Sequence, residues 1–160
     1  MDKRRCAACG CGGLRAGIET LSVTLPRCGL VASIAAPAHR CAGCGEVHFE
    51  RDVLERAQLS IGCALADRGV HTGDALRHMR KALELRASDL ARLLGVTPET
   101  VSHWETGRAP PARSAFVAVA AMVEEAIDGR TTTRDRLTVL ARASRLPRVL
   151  RVKLRASSRR

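Results

Sequence analysis

The chain has 160 residues, 46% of them apolar, enough for one medium domain or two small ones with a core. Two phenylalanines, one tryptophan and no tyrosine leave too few aromatic faces for the stacking platforms of single-strand or RNA binders. A net charge of +11 suits a polyanionic partner such as DNA, although a plain solvated basic surface would carry the same charge.

The opening segment, MDKRRCAACG, is charged and then Cys/Gly-rich, without the apolar stretch of a secretory signal. The longest apolar run, Ala115–Val123, is too short to span a bilayer. These features predict a cytoplasmic chain with no membrane partner. In that compartment its seven cysteines read as metal ligands or free thiols rather than disulfides.

Residues 1–50 hold two copies of one knuckle, Cys6-Ala-Ala-Cys9-Gly10 and Cys41-Ala-Gly-Cys44-Gly45. Each CxxC lets two thiolates of a tight turn reach one ion, and the glycine permits the turn's backbone. Together they predict one structural Zn2+ held by Cys6, Cys9, Cys41 and Cys44. Cys11 competes with Cys9 but lacks knuckle spacing. Cys28 falls in a predicted turn and Cys63 in a predicted helix, the first a bystander and the second a small core residue. A redox CxxC would want a βαβ context, and none flanks either motif. Between the knuckles, Leu14, Ala16 and Ile18 alternate weakly and Leu21, Val23 and Leu25 clearly. This predicts short antiparallel strands with turns near Pro26–Gly29 and Pro37, and Val47–Phe49 as a returning strand. So few apolar residues make no self-sufficient core, so this zinc ribbon draws its folding energy from the metal.

Residues 51–73 form a joining helix and linker. Val53, Ala57, Ile61 and Leu65 repeat at helical spacing, with Asp52, Glu55 and Arg56 outside. Gly69 and Thr72-Gly73 end it, and its default packing partner is the ribbon. His71 and His78, near the linker, read as exposed rather than as ligands.

Residues 74–128 carry the densest signal. Leu76, Met79 and Leu83 are the inner face of one helix, and Leu90, Ala91 and Leu94 of a second that Gly95 ends. Thr97 is a good N-cap, Pro98 suits the first helical position, Val101 and Trp104 face inward, and Gly107 stops the third helix. This is helix-turn-helix spacing. The series Leu83-x-Leu85…Leu90-Ala91…Leu94-Gly95-Val96-Thr97…Val101-Ser102-x-Trp104-Glu105-x-Gly107-Arg108-x-Pro110 resembles the Cro/CI-type repressor domain, from Asp74 to about Glu125.

That resemblance implies that Pro98–Thr106 enters the major groove, with Thr97, Glu99, Thr100, Ser102 and His103 as DNA-contacting residues. His103 can donate to guanine N7 or O6. Glu99 has two readings: acceptor from cytosine N4, or acid stabilising the helix N-terminus. Arg108 and Arg113 suit phosphates. In the resembling repressors an Arg of the first helix pairs with a Glu late in the recognition helix; Arg80 and Glu105 occupy those positions here. The sequence departs from the pattern where Arg86 replaces the usual Ser/Thr cap and Ala87 the polar phosphate binder, although Arg86 can itself reach a phosphate. Arg113–Ile127 is a longer helix with Phe116, Val119, Ala120 and Val123 on one face. It closes the core, mediates two-fold self-contact, or does both. A homodimer reading a palindromic operator in double-stranded DNA is expected.

Residues 129–160 are a basic C-terminal extension, with eleven Arg/Lys from Arg130 onward against Asp135 alone. Thr131–Thr133 can cap a helix over Arg134–Leu146 with Leu137, Leu140 and Ala141 inward, stopped by Pro147. Val149–Leu154 alternates partly, as a strand would. The segment reads as partly ordered and DNA-facing, neutralising phosphates, with a disordered, solvated end as the alternative.

Taken together, the predicted fold class is α+β, mostly α, with a small N-terminal β zinc ribbon before an all-α Cro/CI-type helix-turn-helix domain. With Cys41-x-x-Cys44-Gly45-Glu46 followed by Val47-x-Phe49, the stretch Cys6–Ile127 resembles the MqsA-type antitoxins, which carry a YgiT-type zinc finger. That resemblance implies an N-terminal domain docking a ribonuclease toxin and a C-terminal domain that dimerises and represses its own operon. The last thirty residues and three extra cysteines lie outside that pattern. The expected function is therefore a sequence-specific DNA-binding transcriptional regulator. The leading finer reading is an antitoxin; the alternatives are a solitary transcription factor without a toxin and, outside DNA binding, a zinc-ribbon adaptor that binds protein. No convergent nucleophile–base–acid set is visible, and a four-thiolate zinc has no open position for chemistry, so an enzyme is not expected.

Overall fold

A computed structural model describes residues 5–142. The architecture is α+β, mostly α: a small N-terminal antiparallel sheet followed by helices. Strands β1 (Leu14–Leu25) and β2 (Leu30–Cys41) form one hairpin in unbroken register, from Leu14 opposite Cys41 to Leu25 opposite Leu30. Strand β3 (Val47–His48) returns along β2, opposite Arg40 and His39.

The turn expected at Pro26–Gly29 is present, but the one expected at Pro37 is not. Pro37 lies inside β2, opposite Ile18. Because β3 pairs only with His39 and Arg40, the far edge of β2 has no strand neighbour at Pro37, and an edge tolerates proline's missing N–H. The expected short strands are likewise a single twelve-residue strand, β1. Side chains alternate with a period of two, so Leu21, Val23 and Leu25 share the inner face while Ile18 points outward, 68% exposed.

Helices α1 (Arg51–Asp67), α2 (Gly73–Ala82), α3 (Ala87–Leu94), α4 (Pro98–Glu105), α5 (Arg113–Ile127) and α6 (Thr132–Leu140) follow. The expectation that α1 packs on its ribbon needs correction. It touches β2, but its buried Ile61 and Leu65 join Leu76, Met79, Val119 and Val123 in one core that also takes Leu25 from the hairpin. The crossing is close: a Cβ on Gly62 would lie 3.1 Å from Val123. The stripe is drawn there because a two-stranded hairpin has too little apolar surface to cover it, whereas α2 and α5 offer matching faces.

Thr72-Gly73 is not a linker either. Thr72 caps α2, accepting from the Ala75 N–H at 3.2 Å, and Gly73 is the first helical residue. His71 and His78 are half-buried rather than exposed. His71 meets the Phe116 ring edge-on at 4.9 Å, and His78 Nε2–H donates to the Gln58 carbonyl at 3.0 Å.

On α5, Phe116, Val119, Met122 and Val123 close the core, and Val117 stays outside, 66% exposed. Helix α6 leans on α5 and α3. Glu125 anchors its start, its carboxylate accepting from the Thr133 N–H at 2.7 Å and hydroxyl at 2.9 Å. Of the residues expected inward, Leu137 packs against the core, whereas Leu140 and Ala141 are exposed. A single row of contact on a short helix leaves the next apolar row uncovered. The helix runs Thr132–Leu140 rather than the expected Arg134–Leu146, with Ala141 already its C-cap. The stop at Pro147 and the strand Val149–Leu154 lie outside the described residues.

Candidate nucleic-acid interface and thiol cluster

Local chemistry fixes the α3–turn–α4 unit. Gly95 adopts the left-handed conformation (φ +67°) that ends α3, and the Val96 N–H returns to the Ala91 carbonyl at 3.0 Å. Thr97 caps α4, its hydroxyl oxygen accepting from the Thr100 N–H at 3.2 Å, and Pro98 follows at the start of the helix. Buried Leu90, Ala91, Val101 and Trp104 fasten α3 to α4.

The opposite side of α4 is open. Glu99, Ser102 and His103 are exposed and Thr100 is half-buried. The Thr97 oxygen is already engaged as a cap and lies 3.1 Å from the Thr100 hydroxyl. The Glu99 carboxyl is held below the usual range, first by its own backbone N–H and then by the Thr97 hydroxyl. Arg86 stands exposed as the N-cap residue of α3 without bonding its amides, Arg108 follows Gly107, and Arg113 opens α5. Among the described residues none of these three arginines is in an ion pair, so their charge is available.

Beneath this face, Arg80 and Glu105 form a bidentate pair. Arg80 Nε donates to Oε1 at 2.5 Å and Nη2 to Oε2 at 2.8 Å, while Nη1 donates to the Leu85 carbonyl at 2.7 Å. A Cβ on Gly73 would sit 1.9 Å from the Trp104 carbonyl oxygen, so α2 begins directly against the end of α4.

At the other end of the sheet the two knuckles are structural twins. Gly10 (φ +73°) and Gly45 (φ +76°) each return an N–H to the carbonyl of the first cysteine, at 2.8 and 2.9 Å. The Cys6 and Cys41 N–H groups each donate to a carbonyl five residues on, Cys11 and Glu46, both at 2.8 Å. The thiols of Cys6, Cys9, Cys41 and Cys44 come within 4.8 Å of one another, with Cys6–Cys44 and Cys9–Cys41 at 3.6 Å.

Their acidities conflict. The Cys9 backbone N–H, ahead of burial and of the His48 ring, brings Cys6 down to about 6. Cys41 is lowered by the Cys44 and Gly43 N–H groups. Cys9 is pushed up to about 12: the Cys11 N–H pulls it down, but the thiols of Cys44 and Cys41 outweigh that. Four sulfurs this close cannot all ionise unaided, and a dication removes the conflict. The donor set therefore fits a thiophilic metal. Cys11 and Cys28 are exposed and outside the cluster, and burial raises the half-buried Cys63 thiol.

Sequence reasoning missed three residues here. His48 Nε2 lies 3.2 Å from Cys6 Sγ, and Arg27 and Asp74, 47 positions apart, are in contact. His48 sits four residues after a knuckle cysteine, which is the one local hint; nothing in the chain links Arg27 to Asp74.

A family model described as a helix-turn-helix domain matches residues 71–154, more than half of the chain, and so spans α2 through α6. No curated protein matches it. Among the described residues no helix is long and apolar enough to cross a membrane.

Proposed function

Because the chain belongs to a helix-turn-helix domain family, we propose that it is a sequence-specific DNA-binding transcriptional regulator whose ribbon holds one structural Zn2+. The observation that carries this is the open side of α4. It is a capped, rigidly backed helix exposing Ser102 and His103, and Arg86, Arg108 and Arg113 are exposed and in no ion pair among the described residues. In a major groove His103 donates to guanine N7 or O6, while Thr100 and Ser102 bond base edges or phosphates. Arg86, Arg108 and Arg113 neutralise phosphates. The engagement of Glu99 by the helix start favours its role as N-terminal acid over cytosine reading. Cys6, Cys9, Cys41 and Cys44 would hold the zinc, which supplies folding energy rather than chemistry.

One such domain reads a half-site, so the proposed working unit is a homodimer on a palindrome, with exposed Val117 of α5 as a contact residue. Within this reading the knuckle sequences favour an antitoxin that represses its own operon and docks a ribonuclease toxin. The residues beyond 128, together with Cys11, Cys28 and Cys63, favour a solitary regulator. A toxin-like reading frame beside the gene, whose product co-purifies with this chain, decides for the antitoxin.

Binding-site selection from a randomised duplex library at physiological salt, with and without chelator, tests the reading. A palindromic site enriched only with metal is expected; no enriched site overturns it. His103→Ala should relax preference at one base pair per half-site by about 1–3 kcal/mol while leaving the others intact. Unchanged selectivity would remove His103 from the interface.

Metal affinity should depend on His48, whose ring N–H can donate to the Cys6 thiolate. Competition with a chromophoric chelator should show His48→Phe weakened about 10–100-fold and His48→Gln, which keeps a donor, weakened less. Equal affinities for all three proteins would make the contact incidental.

A further inference from the structure

The hairpin tip does not end in solvent. Arg27, in the turn between β1 and β2, donates its backbone N–H to Asp74 Oδ2 at 2.7 Å and its Nη1 to Asp74 Oδ1 at 3.2 Å. The same guanidinium nitrogen donates to the backbone carbonyl of Glu105, the last residue of α4. Asp74 is buried in the first turn of α2, so Arg27 engages both oxygens of a carboxylate withdrawn from water. Leu25, two residues earlier in the chain, is buried in the helical core and pins the tip in place. Gly107, at φ +74°, lies under the arginine stem.

The last carbonyls of a helix have no partner within the helix and carry the negative end of its dipole. A guanidinium from elsewhere both satisfies one carbonyl and complements that charge. Here one guanidinium nitrogen serves the carboxylate and the carbonyl together. One ribbon side chain thus ties the start of α2 to the end of α4, where Gly73 already brings the two backbones into contact.

We propose that Arg27 is a positioning residue for DNA recognition: it fixes the end of α4 from the ribbon, so that the metal-bearing lobe and groove reading are mechanically joined. The inference rests on the DNA-reading function above. Arg27 acts through α4 and touches no base.

The test uses the zinc-loaded full chain in wild-type, Arg27→Ala, Asp74→Ala and doubly substituted forms. Binding to the selected duplex and to a scrambled duplex of equal length is measured over a salt series. Amide hydrogen exchange is followed at Thr106, Gly107 and Arg108, whose N–H groups close the end of α4. Arg27→Ala should weaken selected-site binding about tenfold, the scale of one charge-assisted hydrogen bond. Scrambled-duplex affinity and the salt slope should not change, and exchange should quicken at those three amides but not in α5. Asp74→Ala should lose a similar factor, and the double variant little more, as coupled residues do.

Equal losses on both duplexes, with a salt slope shallower by about one, would make Arg27 a phosphate contact and overturn the proposal. So would unchanged selected-site affinity. If the wild-type chain prefers no duplex, the DNA-reading function fails. The brace is then judged by exchange alone: faster exchange at the end of α4 in Arg27→Ala sustains it, and unchanged exchange overturns it.

Discussion

Stripping the metal at neutral pH should unfold the ribbon and carry damage into the helices. Structural zinc contributes apparent binding energies of about 10–16 kcal/mol in small ribbons and fingers, comparable with the entire stability of an ordinary domain. Here the loss cannot stay local, because Leu25 belongs to the helical core and Arg27 holds α4. Thiol counting gives a direct readout. With metal bound, Cys11 and Cys28 should react fast, Cys63 slowly, and the four clustered thiols not at all. After chelation all seven should react, with a shift in the fluorescence of Trp104 on α4. Cys41→Ser should reproduce the chelated state and lose one-to-one metal binding. Four thiols still protected after chelation, or an unmoved Trp104, would mean that the lobe folds without the ion.

The parts legible in the sequence were those encoded within a few residues. Gly95, Thr97 and Pro98 set the turn of the helix-turn-helix by their own backbone preferences, and the repeated CxxCG sets each knuckle in the same way. Pairing between remote segments left no such trace. The even-numbered Leu14, Ala16 and Ile18 looked like a separate strand because a period-two pattern does not announce that it has changed face. Pro37 looked like a turn because an edge without a neighbour cannot be seen in one strand alone. The stripe of α1 was plain, but which apolar surface it covers depends on α2 and α5 arriving there. Nothing in the sequence sets Arg27 apart from the other cations of a basic chain, and only the fold supplies its carboxylate and its carbonyl. The candidate groove residues were found through their helix, and their backing was found only in part: Arg80–Glu105 by resemblance, Arg27–Asp74 not at all.

Glu105→Ala should destabilise the chain by about 3–5 kcal/mol, the range for removing one partner of a buried ion pair. The side chains of Arg80 and Glu105 are 11% and 9% exposed, so water cannot readily replace the carboxylate, and the Leu85 carbonyl alone would face the guanidinium. Relaxation is also blocked. The backbone of α2 already meets that of α4 at Gly73, where not even a Cβ fits, so the helices cannot close further over the space left by the carboxylate. The upper part of the range is therefore expected. Replacing both partners by apolar residues, as in Arg80→Met with Glu105→Leu, should recover much of the loss, since no uncompensated charge remains. Recovered stability need not bring back function: site preference should stay impaired, because the paired carboxylate fixes the angle between α2 and α4 with a geometry that methyl groups do not impose. Urea unfolding of the three proteins, with duplex binding measured on each, separates the two effects. A cost below about 1 kcal/mol for Glu105→Ala would mean that the pair behaves as a solvated surface bridge, and the rigid seat proposed for α4 would go with it.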